Sequence, residues 1–118
     1  MSYVDGFVMP VPKKNLKKYQ VLAKKAGKIW RQHGALAYQE CAGDAIFLKA
    51  PTTFLKMAKA KKTETVCFSW IVYKSRKHRD AVLKKVFADP RIIAMMEDTP
   101  VFDYKRMAYG GFKTIVSV

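Results

Sequence analysis

Two different spacings of hydrophobic residues follow one another along the chain and predict both helices and strands. From Lys13 to His33, apolar residues recur on one face at about 100° per residue, which predicts an amphipathic helix. The apolar face of this helix consists of Leu16, Tyr19, Leu22, Ala23, Ala26, Ile29 and Trp30. The opposite face is basic, and Gly34 follows as a left-handed C-terminal cap. One side of the helix is therefore suited to a core and the other to water.

Four segments rich in branched and aromatic residues predict β-strands. They are Tyr3–Val11, Ala35–Ala42, Glu64–Tyr73 and Tyr104–Val118. Pro10 and Pro12 are expected to end the first strand, since proline cannot donate to a sheet ladder. The third segment is apolar on both faces, as expected of a central strand. Gly110-Gly111 predicts a bulge, a bend or a close backbone approach in the last strand.

Capping residues mark further helices between these strands. Ser75 precedes a helix that runs to about Ala88, and Asp89-Pro90 begins a short third helix. Thr53 is a possible cap for a short helix at Phe54–Ala60. The main elements follow the order βαββαβ. This order predicts an α+β, ferredoxin-like domain over residues 1–118, with a four-stranded antiparallel sheet and both main helices on one face.

The other face of the sheet is predicted to pack against a second copy of the chain. Strands one and three carry large apolar residues at both odd and even positions, and therefore on both faces of the sheet, such as Phe7 beside Val8 and Trp70 beside Ile71. A monomer would leave one of these sets in water, which is rare for a patch of that size. We therefore expect a homodimer in which two sheets pack face to face as a dimeric α+β barrel.

Several blocks of the sequence are similar to one known family. They are Tyr3-Val4-Asp5-Gly6-Phe7-Val8, Val11-Pro12, Phe68-Ser69-Trp70-Ile71, Ser75-Arg76, Arg79-Asp80, Asp89-Pro90-Arg91, Lys105-Arg106-Met107 and Tyr109-Gly110-Gly111-Phe112. The chain resembles the YbaA-like family of small proteins in the dimeric α+β barrel superfamily. The resemblance implies that fold and leaves the activity open, because the wider superfamily includes cofactor-independent monooxygenases that act on aromatic polyketides and quinols, haem-handling enzymes and members without a known reaction.

Two carboxylates and one arginine are the first candidates for chemistry. Arg79 lies among apolar positions of the second helix, where it could bind an anionic ligand. It could instead extend past the sheet edge to water, or pair with Asp5, Glu40 or Asp103. Asp5 and Glu40 occur in otherwise apolar strands, where burial would raise a carboxyl pKa and suit a general base. The alternative is that each carboxylate lies at a strand end or in an ion pair.

Histidine and aromatic side chains complete the candidate set. His33 and His78 could titrate near neutral pH and act beside a bound phenol, or could be ordinary helix-terminal residues. An apolar pocket for an aromatic ligand, or simply a core or dimer interface, could be lined by Tyr38, Trp70, Tyr73, Tyr109 and Phe112. The sequence thus predicts binding of a small aromatic or anionic ligand, with cofactor-independent monooxygenase-like chemistry as one possibility.

Other chemistries lack the residues that they need. Cys41 and Cys67 are not grouped for metal or redox chemistry, and no histidine cluster is present to hold iron or zinc. Glycine motifs for nucleotides and the serine-hydrolase elbow are also missing. We therefore expect no metal and no organic cofactor. The N-terminus does not resemble a signal peptide, and no apolar run is long enough to span a membrane, so a cytoplasmic protein is expected.

The net charge of +14, from 23 basic and 9 acidic residues, suggests a different class of partner. The basic face of the first helix could contact the phosphates of RNA without reading its sequence. The residues proposed for this contact are Lys17, Lys24, Lys28 and Arg31. A solvated lysine-rich face is the simpler interpretation. Nucleic-acid binding is therefore kept as the alternative to a small ligand in the barrel.

Overall fold

The computed structural model describes residues 1–47 and 49–118 of the chain. Within these ranges the strands are β1 (Tyr3–Pro12), β2 (Ala37–Ala42), β3 (Glu64–Tyr73) and β4 (Ala108–Lys113). The α-helices in the same ranges are α1 (Leu16–Gln32), α2 (Phe54–Met57), α3 (Arg76–Phe87) and α4 (Pro90–Glu97). Short 3₁₀ turns at Lys13–Asn15 and Tyr104–Arg106 lead into α1 and β4.

The four strands form one antiparallel sheet in the order β2-β3-β1-β4. Helices α1 and α3 pack on the same face of this sheet, where Ile29 of α1 and Val82 and Val86 of α3 meet Ile71 and Tyr73 of β3. The predicted α+β, ferredoxin-like arrangement is confirmed. Burial of these side chains away from water is the main source of its stability.

The first strand is longer than its prolines predicted. It continues through Pro12, paired with β3, whereas β4 pairs only with Tyr3–Val8. Beyond Val8, β1 therefore has a free edge. The amide of Lys13 donates to the Thr63 carbonyl on the β3 side (2.9 Å). Because alternate residues of a strand point their amides to opposite sides, the nitrogens of Pro10 and Pro12 lie on the free side, where proline is tolerated.

The predicted helix starts hold where capping residues specify them, although α2 ends at Met57 and not at Ala60. The side chains of Thr53, Ser75 and Asp89 accept backbone N–H groups at the starts of α2, α3 and α4. Gly34 follows α1 with φ +115, a conformation that favours glycine. The last strand is shorter than predicted, because Asp103 caps the turn at Tyr104–Arg106 and regular pairing ends at Lys113.

The register of the sheet separates the side chains into two chemically different faces. The face that packs on the helices carries Asp5 and Met9, which are opposite Ile71 and Cys67. The other face is open and almost wholly apolar. The residues that form it, with those of α2 at one end, are Val4, Gly6, Val8, Phe54, Met57, Phe68, Trp70, Ala108, Gly110 and Phe112. The candidate site residues are therefore divided between the two sides of the sheet.

Candidate functional site

A cleft of about 460 Å³ lies between α1 and the strands β2 and β3. Its lining residues are Leu16, Tyr19, Gln20, Ala23, Lys24, Tyr38, Glu40, Cys41, Ala42 and Cys67. The sequence periodicity of α1 directs Tyr19 and Ala23 toward the sheet, and the register of β2 directs Tyr38 and Glu40 toward the helix. A partly apolar concavity with one carboxylate is thus formed by three regular elements.

Two tyrosine hydroxyls hold the carboxylate of Glu40 inside this cleft. The Tyr19 hydroxyl donates to Glu40 Oε1 (2.8 Å), and the Tyr38 hydroxyl donates to Glu40 Oε2 (3.0 Å). Burial, followed by the nearby Glu40 charge, raises the pKa of both tyrosines well above the usual range. Both phenols therefore stay protonated at physiological pH and act as donors, so that the orientation of Glu40 is fixed.

A close approach between α1 and β2 fixes the position of Tyr38. The ring of Tyr38 lies against Gly27 so closely that a Cβ at position 27 would be 2.6 Å from Tyr38 Cδ1. Only glycine leaves enough space there for the ring. The indole of Trp30 contacts the same ring, with the two ring centroids 6.1 Å apart. Gly27 and Trp30 therefore determine where the Tyr38 hydroxyl meets Glu40.

The thiol of Cys67 contributes an apolar wall to the cleft. Burial, with a smaller effect of Glu40, raises the pKa of Cys67 to about 11. The thiolate is therefore scarce at neutral pH, and Cys67 is unsuited to nucleophilic attack. Cys41 and Cys67 are both free thiols. They lie on opposite faces of the sheet, because Cys41 is opposite Phe68 and Cys67 is opposite Ala42.

A second polar cluster lies on the helix side of β1 and β4. Arg79 Nη1 donates to Asp5 Oδ1 (2.8 Å) and to the Tyr109 hydroxyl (2.9 Å), and Arg79 Nε donates to Asp80 Oδ1 (2.7 Å). The guanidinium also lies over the ring of Tyr3, 5.1 Å from its centroid. Three predicted ligand-binding residues, Asp5, Arg79 and Tyr109, are thus brought together.

The electrostatics of this cluster are those of a buried ion pair. Asp5 is fully buried, and burial raises the pKa of its carboxyl, while the charge of Arg79 and the hydrogen bonds to Asp5 act in the opposite direction. Hydrogen bonding to Asp80 and the charge of Asp5 raise the pKa of Arg79 against the effect of its own burial. Two carboxylates therefore balance the Arg79 charge, and of the three partners that the sequence left open for it, Asp5 is the one in contact.

The two histidines do not lie with Glu40. His33 Nε2 is 2.8 Å from Asp89 Oδ2, and hydrogen bonds from Arg91 and His33 lower the pKa of Asp89. His78 lies at the start of α3, where its Nδ1 accepts the backbone N–H of Lys74 (2.9 Å). Neither ring lines the Glu40 cleft. Their predicted catalytic role is therefore not supported by proximity to the candidate base.

Trp70 and Phe112 lie on the open face of the sheet, not in a common pocket with Tyr38, Tyr73 and Tyr109. Trp70 is opposite Gly6, whereas Tyr38 is opposite Ile71 on the helix face. Side chains of successive strand residues point to opposite faces, so these two positions cannot line the same cavity. The grouping of five aromatic residues between sheet and helices was wrong for this reason.

The residues predicted for nucleic-acid contact are exposed along α1. Lys24, Lys28 and Arg31 follow one groove, and Lys17 borders a different concavity with Met95 and Tyr104. Arg31 Nη1 donates to the carbonyls of Ala35 (3.2 Å) and Leu36 just after the helix. The four residues thus share a helix and not a single site.

Residues 1–47 and 49–118 contain neither a metal-binding cluster nor a membrane-spanning helix. Within them, no group of three or more His, Cys, Asp and Glu side chains is arranged to hold a metal ion. No helix in this part of the chain is both long enough and apolar enough to cross a bilayer.

Sequence comparison places these features in a family. Residues 2–104 match the model of a family described as protein of unknown function DUF1428. The chain is also 42% identical over 116 residues to uncharacterised protein YbaA of Escherichia coli strain K12, with 98% of each chain covered. The chain belongs to this YbaA-like DUF1428 family. The resemblance found from the sequence blocks is confirmed.

Solved structures with the same fold have very different sequences. A variant of SnoaB, a cofactor-independent oxygenase from Streptomyces nogalater, matches with a TM-score of 0.60 and 8% identity, covering 99% of this chain and 96% of that one. Rv0793 from Mycobacterium tuberculosis matches with a TM-score of 0.60 and 10% identity, covering 99% and 98%. These likenesses support the ferredoxin-like α+β fold, and neither they nor the family favour the nucleic-acid alternative.

Tyr19 is the cleft residue to which sequence reasoning gave no functional role. It was placed on the apolar face of the first helix, which is correct. A buried tyrosine hydroxyl needs a hydrogen-bond partner, and Glu40 was the only carboxylate of the second predicted strand. These two facts together were the sequence signal for the hydrogen bond between Tyr19 and Glu40.

We expect Arg79→Met to destabilise the protein by about 3 kcal/mol, because it leaves the buried Asp5 charge uncompensated. The pKa of Asp5, already raised from 3.8, would rise further in the folded variant. The variant therefore loses stability as the pH rises from the pKa of Asp5 in the unfolded chain through its higher pKa in the folded chain. The decrease in free energy of unfolding relative to wild type is thus larger at about pH 7 than at about pH 5. Urea denaturation at both pH values measures it.

The double variant Asp5→Asn with Arg79→Met is the control. It removes the titrating carboxyl together with its partner, so its deficit should not depend on pH in this range. An equal loss for Arg79→Met alone at both pH values would contradict the assignment of a buried Asp5–Arg79 pair.

Proposed function

We propose that the cleft between α1 and the sheet binds a small aromatic molecule that carries a hydroxyl group, and that Glu40 accepts the proton of that hydroxyl. The observation that supports this most is the carboxylate of Glu40, oriented by Tyr19 and Tyr38 in a cavity of about 460 Å³. This volume is in the range of small-molecule sites, which are mostly apolar with a few oriented polar groups.

The hydrogen bonds of Glu40 leave capacity for a ligand. An ionised carboxylate offers about four acceptor positions, and the two tyrosine hydroxyls occupy two of them. A ligand hydroxyl is a donor that suits a remaining position. The ring of Tyr38 and the side chains of Leu16 and Ala23 supply apolar walls for the rest of the molecule.

Asp5 and Arg79 are less suitable for this role. The Asp5 carboxylate has no exposed surface, and the Arg79 guanidinium is engaged with Asp5, Asp80 and Tyr109. A ligand would have to break this ion pair before it could bind there. Glu40, by contrast, lines an open cleft, so it is the better candidate for a proton acceptor.

Two naphthalene probes test the proposed hydrogen bond. We expect wild-type protein to bind 2-naphthol about tenfold more tightly than 2-methoxynaphthalene, which has no donor, because hydrogen bonds to a charged acceptor are the stronger ones. Glu40→Gln should reduce this preference to about threefold or less, since its acceptor is neutral. Probe fluorescence titrations measure both dissociation constants.

The methoxy probe also serves as the control for folding of the variant. Its affinity should be the same for wild type and Glu40→Gln, because it does not use the carboxylate. Equal binding of the two probes by wild-type protein would contradict the proposed role of Glu40.

Oxygenation of the bound phenol is the reaction that we propose for this site. A ring C–H para or ortho to the hydroxyl is replaced by C=O with one atom of O₂, the second oxygen atom leaves as water, and the phenolic and ring hydrogens enter that water. The phenol supplies the electrons, so no metal or organic cofactor is required. Removal of the hydroxyl proton by Glu40 makes the ring electron-rich enough to react with oxygen.

Oxygen uptake tests this reaction. We expect 1-naphthol to consume one O₂ per quinone formed, with a rate that falls about 100-fold or more in Glu40→Gln, as for loss of a general base. Mass spectrometry after reaction in ¹⁸O₂ should find one labelled atom in the quinone. Uptake that is equal for wild type and variant, or a product without label, would refute oxygenation while leaving the binding proposal intact.

We also propose that the open sheet face packs on a second copy of the chain. In this face Phe68 is 43% exposed and Phe112 is 63% exposed, and the face encloses a shallow concavity of about 580 Å³. Its lining residues carry no charge, although the chain has 23 basic residues. Two such faces could therefore meet around a two-fold axis without like-charge repulsion.

Light scattering on a single substitution tests the dimer. Wild-type protein should have twice the mass of one chain, and Phe112→Glu should shift it to one chain, because the new carboxylates would be buried against an apolar face. Val21→Glu is the matched control, since Val21 is 58% exposed on α1 and outside the patch. A monomeric wild type, or a Phe112→Glu variant that remains a dimer, would contradict the proposal.

A further inference from the structure

We infer that a groove beside the cleft binds an anionic group of the same ligand, so that the ligand class is a hydroxylated aromatic acid. This inference rests on the proposed function, because it assigns the second end of a molecule whose hydroxyl meets Glu40. It is supported by the position, charge and hydrogen bonding of three cations on α1.

The groove adjoins the cleft. It has a volume of about 710 Å³ and shares two lining residues, Lys24 and Tyr38, with the Glu40 cleft. Its full lining is Lys24, Gly27, Lys28, Arg31, Gln32, Leu36, Ala37 and Tyr38. The Tyr38 ring packs against Gly27 between the two spaces, so an elongated molecule that occupies both would cross beside Lys24, the other residue that lines both.

The cations lie on one wall of the groove because of their spacing. Lys24, Lys28 and Arg31 are four and three residues apart, and such positions are neighbours on a helix surface. The residues that line this groove include no carboxylate. An anion there would meet three positive charges and no acidic competitor.

Arg31 is held in place before any ligand binds. Its Nη1 donates to the backbone carbonyls of Ala35 (3.2 Å) and Leu36, which anchors the guanidinium at the end of the groove. An anchored side chain loses less conformational freedom on binding than a free one. Less of its attraction for an anion is therefore offset by lost conformational entropy. Its fork geometry suits a carboxylate or phosphate oxygen pair.

The charges of the two spaces are opposite and define an orientation. Glu40 lies in the cleft, Lys28 and Arg31 lie in the groove on the other side of Tyr38, and Lys24 borders both spaces. An anion near Glu40 would be repelled, and an anion in the groove would be attracted. The arrangement therefore favours a ligand with a hydroxyl at one end and an anionic group at the other.

The test compares an acid with its own neutral ester. The probes are 6-hydroxy-2-naphthoic acid and methyl 6-hydroxy-2-naphthoate, which share the ring and the hydroxyl and differ in charge. We expect wild-type protein to bind the acid about tenfold more tightly than the ester, as for two or three partly exposed ion pairs. This preference should fall to about twofold or less in the double variant Lys24→Gln with Lys28→Gln.

A matched variant separates the groove from the overall charge. Lys17→Gln with Lys25→Gln removes the same charge from the same helix, and both lysines border another concavity. It should keep the preference for the acid. All four lysines are exposed, so neither double variant is expected to disturb the fold.

The outcomes for the two proposals are different. An equal affinity of wild type for acid and ester, with ester binding that still depends on Glu40, would overturn the inference and leave the proposed function standing. An equal loss of preference in both lysine variants would also overturn it. Ester binding that is absent, or unchanged in Glu40→Gln, would overturn the proposed function itself.

Discussion

The pairing register between β1 and β3 is the constraint on which the other features of this protein depend. It places Asp5 opposite Ile71 on the helix side and Gly6 opposite Trp70 on the open side. A slip of one residue would exchange the two faces, exposing the core residues and moving Asp5 into the apolar patch. The separation of the helix-covered face, which contains the core and both polar clusters, from the apolar open face is thus set by one ladder of hydrogen bonds.

The helix-covered face contains two carboxylates, Asp5 and Glu40, and they are stabilised in different ways. Asp5 is sealed from water and paired with Arg79, so its charge is balanced by a cation within the fold. Glu40 is held by two neutral phenols and lines an open cleft. A carboxylate whose charge is balanced by a buried cation attracts a ligand only weakly. A carboxylate held only by hydrogen bonds at a cavity can still accept a hydrogen bond from a ligand. This difference makes Glu40 the candidate base.

Sequence reasoning predicted the fold and part of the cluster around Asp5, for reasons that are local. The position of Arg79 among the apolar residues of its helix follows from a 100° rotation per residue, and it indicated that a buried partner was needed. Which carboxylate would be that partner depended on strand order. Whether Trp70 and Tyr38 lie on the same face of the sheet depended on the pairing of β2 with β3. No single strand encodes that register.

The cleft was the feature that the sequence could least predict, and the family resemblance did not help. The blocks that carry the resemblance contain Asp5, Arg79 and Tyr109, and they also contain ion pairs that stabilise the fold. Arg91, for example, donates hydrogen bonds to both carboxylate oxygens of Asp89, at 3.0 Å and 2.8 Å.

The cleft residues Tyr19, Tyr38 and Glu40 lie outside those blocks, and so do the groove cations of α1. The cleft depends on a distance between α1 and β2 that Gly27 and Tyr38 set by direct contact. Because that contact joins residues from two different elements, neither propensity nor periodicity of either element reveals it. Membership of the family therefore explains the scaffold, and the ligand must be argued from the side chains that this chain places on α1 and β2.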